Sequence, residues 1–377
     1  VADLNGDGKP VSDISYSVDP FITLDETTSR LHMDVTYAPG FTFYQRTTSR
    51  NQADQNVAFD FQYRLSPHVT FTARDGFQKS SSVFNQPFPT GAATIGGGTQ
   101  VPNFSIIAPV SPFLSNFGDV GISYQFALNG MVGATGTFSN LHYENQAQTT
   151  GLSDSSGQGG SAYYTFRISK MHYIGATYQY QRFISNPTVG QTETQTHALF
   201  LFYTLYATPR ISISFFGGPQ HSDTMQPPQP GVPLEATTIR SWIPAAGASM
   251  NWQGRLTNFA LSYSHVISDG GGLTGAVQMD SATASVRQQI SRRLSGSLAG
   301  MYAQNNVLGS ALAGSSNGHT LGGTASLQQE IGQHFNVTLG YTRLHQDYSG
   351  VAVLAATPNT NREFISISYQ FFRPLGK

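Results

Sequence analysis

The chain has 377 residues, a formal net charge of −1 and no cysteine. Those figures exclude disulfides, thiolate metal sites and cysteine nucleophiles, and leave no basic excess to neutralise nucleic-acid phosphates. Charged residues make up only 11 %, while aromatics reach 12 % and glycines number 39, so the charged coat of a soluble protein (about a quarter of its residues) is missing.

No apolar run approaches the ~20 residues of a membrane-spanning helix. No secretory leader is legible, so an exported protein would be read here in its mature form. The opening VADLNGDGKP (1–10) sets Asp3, Asn5 and Asp7 at alternate positions before Gly8. That spacing offers oxygen ligands around a tight turn, the chemistry of a calcium loop, and it resembles FG-GAP and EF-hand-like loops. The acid that an EF-hand needs at its twelfth position is replaced by Ile14, with Asp13 one place early. A polar tail, or the remnant of an upstream module, is the competing reading.

From residue 57 the chain alternates. VAFDFQYRL (57–65) puts Val57, Phe59, Phe61, Tyr63 and Leu65 on one face and Asp60, Gln62 and Arg64 on the other. Such period-two patterning predicts half-buried strands. It recurs in VGISYQFAL (120–128), IGATYQY (174–180), ISISF (211–215), FALSY (259–263) and FNVTLGYT (335–342), and ends in FISISYQFF (364–372). Weaker versions, with Ala and Gly in place of aromatics, are ATASVRQ (282–288) and TLGGTASLQ (320–328).

The connections fall into two kinds. Short ones carry tight-turn residues: Ser66-Pro67-His68, Asn129-Gly130, Lys170-Met171, Thr208-Pro209, Gln253-Gly254, Arg292-Arg293 and Gly332-Gln333. Long ones, rich in Gly, Ser, Pro and Asn, lie near 47–55, 82–117, 146–160, 187–193, 222–236, 268–275, 306–318 and 348–360. The two kinds alternate, which predicts ~16 antiparallel strands with tight turns at one end and loops at the other. Soluble sandwiches and propellers have no reason to sort loop lengths by side, and an open sheet of this length would expose backbone groups that lipid cannot satisfy. The fold class is therefore all-β, a closed antiparallel transmembrane β-barrel.

On these strands the chain resembles Gram-negative outer-membrane β-barrels, and among them the porin-like ones, over roughly residues 30–373. Residues 1–29 are then a periplasmic N-terminal tail and 30–377 the barrel, with both termini on the short-turn side. FISISYQFF resembles the terminal signal read by the barrel-assembly machinery, except that RPLGK follows it. The resemblance implies a passive channel for small polar solutes, surrounded by outer-membrane lipid and lipopolysaccharide, with homo-oligomers compatible and no cofactor beyond calcium at the N-terminal loop. The alternative is a closed barrel acting as adhesin, receptor or scaffold through its extracellular loops.

Alternation places Phe61, Tyr63, Tyr124, Phe126, Tyr178, Leu339, Tyr341 and Ile367 toward lipid. It places Asp34, Arg46, Asp60, Arg64, Arg74, Arg167 and Arg287 in the lumen, either satisfying one another or forming a weakly basic lining that favours anionic or neutral solutes. A three-residue turn at 66–68 sets Asp60 opposite Arg74. The segment 82–117 has no Asp, Glu, Lys, Arg or His but carries Phe84, Phe88, Phe104, Ile106, Ile107, Phe113 and Phe117, so it is expected to fold over or into the mouth. The ten histidines are scattered, and no hydrolase, metalloprotease or phosphate-loop motif occurs, so no enzyme is expected. SDGGGLTG (268–275) reads as a plain hairpin loop.

Overall fold

The computed structural model describes residues 12–80, 103, 105–106, 112–144, 151–187, 190–226, 237–308, 317–351, 354 and 359–369. They form one antiparallel sheet of 18 strands. In order these are β1 (Ser15–Val18), β2 (Ile22–Thr27), β3 (Leu31–Tyr44), β4 (Gln52–Arg64), β5 (Val69–Ser80) and β6 (Phe113–Tyr124). They continue with β7 (Gly130–Tyr143), β8 (Asp154–Arg167), β9 (His172–Asn186), β10 (Thr192–Thr208), β11 (Ile211–Gln226) and β12 (Thr237–Gln253). The last are β13 (Thr257–Ser268), β14 (Val277–Gln289), β15 (Leu294–Val307), β16 (Gly318–Ile331), β17 (Phe335–Tyr348) and β18 (Asn359–Tyr369). From β3 to β18 each strand pairs with the next, and each short turn read from the sequence joins two of them.

Most of these strands run to 11–17 residues, far beyond the ~5–6 of soluble sheets and long enough to cross a bilayer at a tilt. One face is apolar and bare: Ile122 is 49 % exposed, Leu201 64 %, Leu339 54 % and Ile367 71 %. Tyr124, Phe126, Tyr178 and Tyr341 share that exposed face, while Phe61 stacks between Phe59 and Tyr63 and meets Phe71 edge-on. In water such a continuous patch would aggregate; in lipid it is the correct solvent. The opposite face is hydroxyl-rich. Thr194 meets Thr224, Ser222 meets Ser241, Ser264 meets Ser281 and Thr324 meets Thr342, at 2.7–3.1 Å.

Two expectations are corrected. Eighteen strands are present instead of about 16, and the sheet is not closed: no ladder joins β18 to β1 or β2 among the described residues. Both corrections have one cause. The strands β3–β18 are the expected set, but β1 and β2 add onto the free edge of β3, at Phe41–Tyr44 and His32–Tyr37 respectively. Pro20 and Pro39, which have no N–H to donate, fall where β1 and β2 break. Both additions run parallel to β18 and occupy the edge that antiparallel closure would use. The edges still approach each other, since Arg362 of β18 acts electrostatically on Tyr44 of β3.

The same pairing corrects the tail. Residues 15–27, expected to belong to a periplasmic tail, include two strands built into the sheet, and β1 begins beside Tyr44 at the long-loop end. There Ile14 accepts a hydrogen bond from the Gln45 N–H, and the Asp13 carboxylate accepts from the N–H groups of Arg46 and Thr47 and the Thr47 hydroxyl. Asp3, Asn5 and Asp7 lie outside the described residues.

Candidate functional site: the closed mouth

The ladder between β12 and β13 ends at Ala246–His265, three residues short of the end of β13. Above that point β13 parts from β12 while staying paired with β14 up to Ser268–Val277, and the β13–β14 hairpin tip (269–276) is buried except for the partly exposed Thr274. Leaving a ladder strands backbone groups, and a buried orphan is costly. The Gln220 side chain of β11 replaces the lost strand: its Oε1 accepts from the Ile267 N–H at 2.9 Å and its Nε2 donates to the Ile267 carbonyl at 3.5 Å. Val266 and Phe216 pack nearby against the buried cluster of Ala198, Phe200 and Ala245 on the inner wall.

The tip turns on glycines with φ of +56° at Gly271, +105° at Gly272 and +96° at Gly275, a region open to Gly and closed to most other residues. At Gly272 a Cβ would stand 2.4 Å from the Tyr143 hydroxyl, so the close approach also needs glycine. The Gly272 carbonyl accepts from the Ser153 N–H at 2.7 Å and the Leu273 carbonyl from the Ser185 hydroxyl at 3.5 Å. The tip is thereby tied to the β7–β9 wall.

On its other side the tip meets Asn103, whose N–H donates to Asp269 Oδ1 at 2.6 Å and whose Nδ2 donates to Asn305 Oδ1 at 2.9 Å. Asn305 Nδ2 in turn donates to the Ser105 hydroxyl at 2.9 Å and the Tyr348 hydroxyl at 2.7 Å, and Tyr348 shares a hydrogen bond with Thr320. Around this network Ile106, Phe113, Tyr143, Leu152, Leu273, Val277, Tyr348, Val351 and Leu354 form one buried apolar core. Its members come from β6, β7, the β13–β14 hairpin, β17 and three loop segments, so it bridges opposite walls. The expected loop 82–117 divides: Phe113 and Phe117 belong to β6, Asn103, Ser105 and Ile106 enter the mouth, and Phe84, Phe88, Phe104 and Ile107 lie outside the described residues.

Below the mouth, the register lines up Asp25, Asp34, Asp60, Arg74 and Asp119 across β2–β6 on the inner face. Asp60 and Arg74 are paired as expected, at 2.9 Å. The hydroxyls of Thr27 and Thr36 donate to Asp25 and Asp34. With one guanidinium against four carboxyl groups, this arc is acidic. Arg64 and Arg287 face inward elsewhere, Arg287 opposite Asn258 and Ser297. Arg167 is taken by a short turn, donating to Asn129 Oδ1 and the Leu128 carbonyl. Arg46 lies in the loop after β3, not on a lumen strand. Asp25 and Asp119 were missed because one lay in the presumed tail and the other just before a recognised strand.

No family model and no curated relative matches the chain. Among solved structures it is similar to the siderophore receptor PiuA from Acinetobacter baumannii (10 % identity, 90 % of this chain and 64 % of that one, TM-score 0.44). It is also similar to the FrpB iron transporter from Neisseria meningitidis (8 %, 96 % and 66 %, 0.49) and to the alcaligin outer-membrane receptor FauA from Bordetella pertussis (12 %, 94 % and 63 %, 0.45). The chain thus spans 63–66 % of the length of these three. With TM-scores below 0.5, what it does is read from its own geometry. A long-stranded antiparallel sheet with an apolar outer face and long loops sorted to one end is outer-membrane architecture, and the outer membrane is where this chain resides. The expectation of an open, passive channel is corrected by the packed core that fills the mouth.

Proposed function

We propose that the protein is a receptor-type outer-membrane sheet whose long-loop end binds its ligand, with the lumen stoppered at rest. The observation that carries this is the core from Ile106 to Leu354, with Leu273 and Leu354 at 0 % exposure. A passive pore gains nothing from a dry, hydrogen-bonded core across its mouth, and packing of this kind is bistable enough to be displaced as a unit. Ligand engagement by the loops is the event that would displace it.

The test is electrical. Wild-type protein in a planar bilayer should give no stepwise current. Replacing residues 269–276 with a two-residue turn should open steps in a correctly inserted sheet. Steady wild-type conductance, unchanged by that replacement, refutes the stoppered reading.

A further inference from the structure

Between β8 and β15 the charges of the sheet are sorted lengthwise. Four consecutive short turns, β8–β9, β10–β11, β12–β13 and β14–β15, carry Lys170, Arg210, Arg255, Arg292 and Arg293, all exposed. Among the described residues of the same stretch, the acids Asp154, Glu193, Asp223, Asp269 and Asp280 all lie toward the opposite, long-loop end. We propose that this basic arc binds the headgroups of anionic phospholipids in the leaflet that surrounds the short turns, the periplasmic one in outer-membrane architecture.

The cations of the arc are free to take such a partner. Toward the long-loop end Lys79 pairs with Glu144, Arg182 with Glu193 and Arg240 with Asp223. None of the five turn cations has an ion-pair partner among the described residues. The turns that carry them are braced. The hydroxyls of Ser169, Thr208 and Ser291 accept from the N–H groups of Met171, Arg210 and Arg293 at 3.2–3.4 Å. Neighbouring turns stand two strands apart, roughly 10 Å, which is about one Debye length at moderate salt, so their fields add. Phosphate oxygens are the partners that an arginine fork meets with charge-assisted hydrogen bonds.

Apolar neighbours decide between a lipid and a soluble acidic partner. Ile168 and Met171 flank Lys170, Leu256 follows Arg255, and Ile290 precedes Arg292 and Arg293; they are 58 %, 43 %, 60 % and 56 % exposed. Ile290 continues the lipid-facing wall. Its Cδ1 and Leu327 Cδ2 each lie 3.3 Å from where a Gly296 Cβ would stand, on the face that bears the exposed Leu298. Side chains of this kind are solvated by hydrocarbon, and turns this short keep their cations at headgroup depth just beyond it. A water-soluble acidic chain would match the charge and leave the aliphatic groups in water.

The test measures lipid preference directly. The full chain is reconstituted in phosphatidylcholine bilayers with a trace of spin-labelled phosphatidylglycerol or spin-labelled phosphatidylcholine, and the motionally restricted fractions are compared. A preference for phosphatidylglycerol of roughly threefold to tenfold is expected, as one interfacial cation per headgroup supplies. It should fall toward unity as salt is raised from about 0.05 M to about 0.5 M. Lys170→Gln, Arg210→Gln, Arg255→Gln, Arg292→Gln and Arg293→Gln combined should abolish it, whereas Lys79→Gln, Arg182→Gln and Arg240→Gln combined should leave it unchanged. The salt series uses the wild-type chain, so it answers even if the fivefold variant inserts poorly. Equal restriction of the two lipids, a preference indifferent to salt, or one that survives the five turn substitutions overturns the proposal. Saturable binding of soluble polyglutamate through the same five residues, without a lipid preference, would assign the arc to an acidic protein and overturn it as well.

Discussion

Asn305 is the residue on which the mouth turns. It is wholly buried, accepts from Asn103 and donates to Ser105 and Tyr348. Replacing it by Ala strips partners from three buried groups, which should cost about 1–3 kcal/mol. Leu298→Ala, on the 58 % exposed lipid face, should cost well under that in micelles, where the site is solvated by apolar tails; comparing the two thermal unfolding midpoints checks the contrast. The Asp60–Arg74 pair is a different case. Its side chains are 44 % and 56 % exposed in the lumen, so a double-mutant cycle should give a coupling of roughly 0.2–1 kcal/mol. At the chain's entry, the Thr47 hydroxyl holds the Asp13 carboxyl down at about 2, from an ordinary 3.8. A depressed pKa means the anchor is intact above pH ~4 and is lost as pH falls toward 2. Amide exchange in β1 should therefore accelerate through that window, and Asp13→Asn should abolish the acceleration.

The element that decides function is the β13–β14 hairpin, and its behaviour should follow Asp269. Burial pushes the Asp269 carboxyl up, against the hydrogen bonds from Asn103 and Ser268. A raised pKa means that docking of the tip is fully supported below the unfolded value near 4 and weakens as pH rises through the folded one. Tyr143, itself within the field of Asp154, is the titratable group facing it. Protection of the tip amides should fall with rising pH, and Asp269→Asn should flatten that profile. Gln220→Leu should loosen the tip at every pH, because Ile267 then loses both of its hydrogen bonds to Gln220. Little of this was legible beforehand. Period-two alternation specifies which face of a strand meets lipid, so the strands, turns and the Asp60–Arg74 register followed from it. SDGGGLTG looked like any glycine-rich loop, because nothing local says that Leu273 will be wanted by Leu152, Tyr143 and Val351 from distant parts of the chain. Inward departure of β13 depends on Gln220, 47 residues earlier, a contact that periodicity does not encode.

At the scale of the whole molecule, the sheet has two kinds of boundary. The interior ladders, β10–β11–β12 above all, are held on both sides, whereas among the described residues β1, β2 and β18 are each paired on one side only. Amide exchange in β1, β2 and β18 is expected to be at least ~10-fold faster than in β10 and β11. The sequence reading missed this seam because residues 15–27 are short, and they are interrupted by Asp19-Pro20. The central claim, however, is that the hairpin tip is packed inside the mouth, and the absence of cysteine from the chain permits a direct measurement. A single cysteine at Leu273, 0 % exposed, is treated with a membrane-impermeant maleimide in the folded protein, beside a cysteine at the exposed Gln191 of the same end. The account predicts rapid labelling at 191 and protection at 273. Equal labelling rates at the two positions would contradict it.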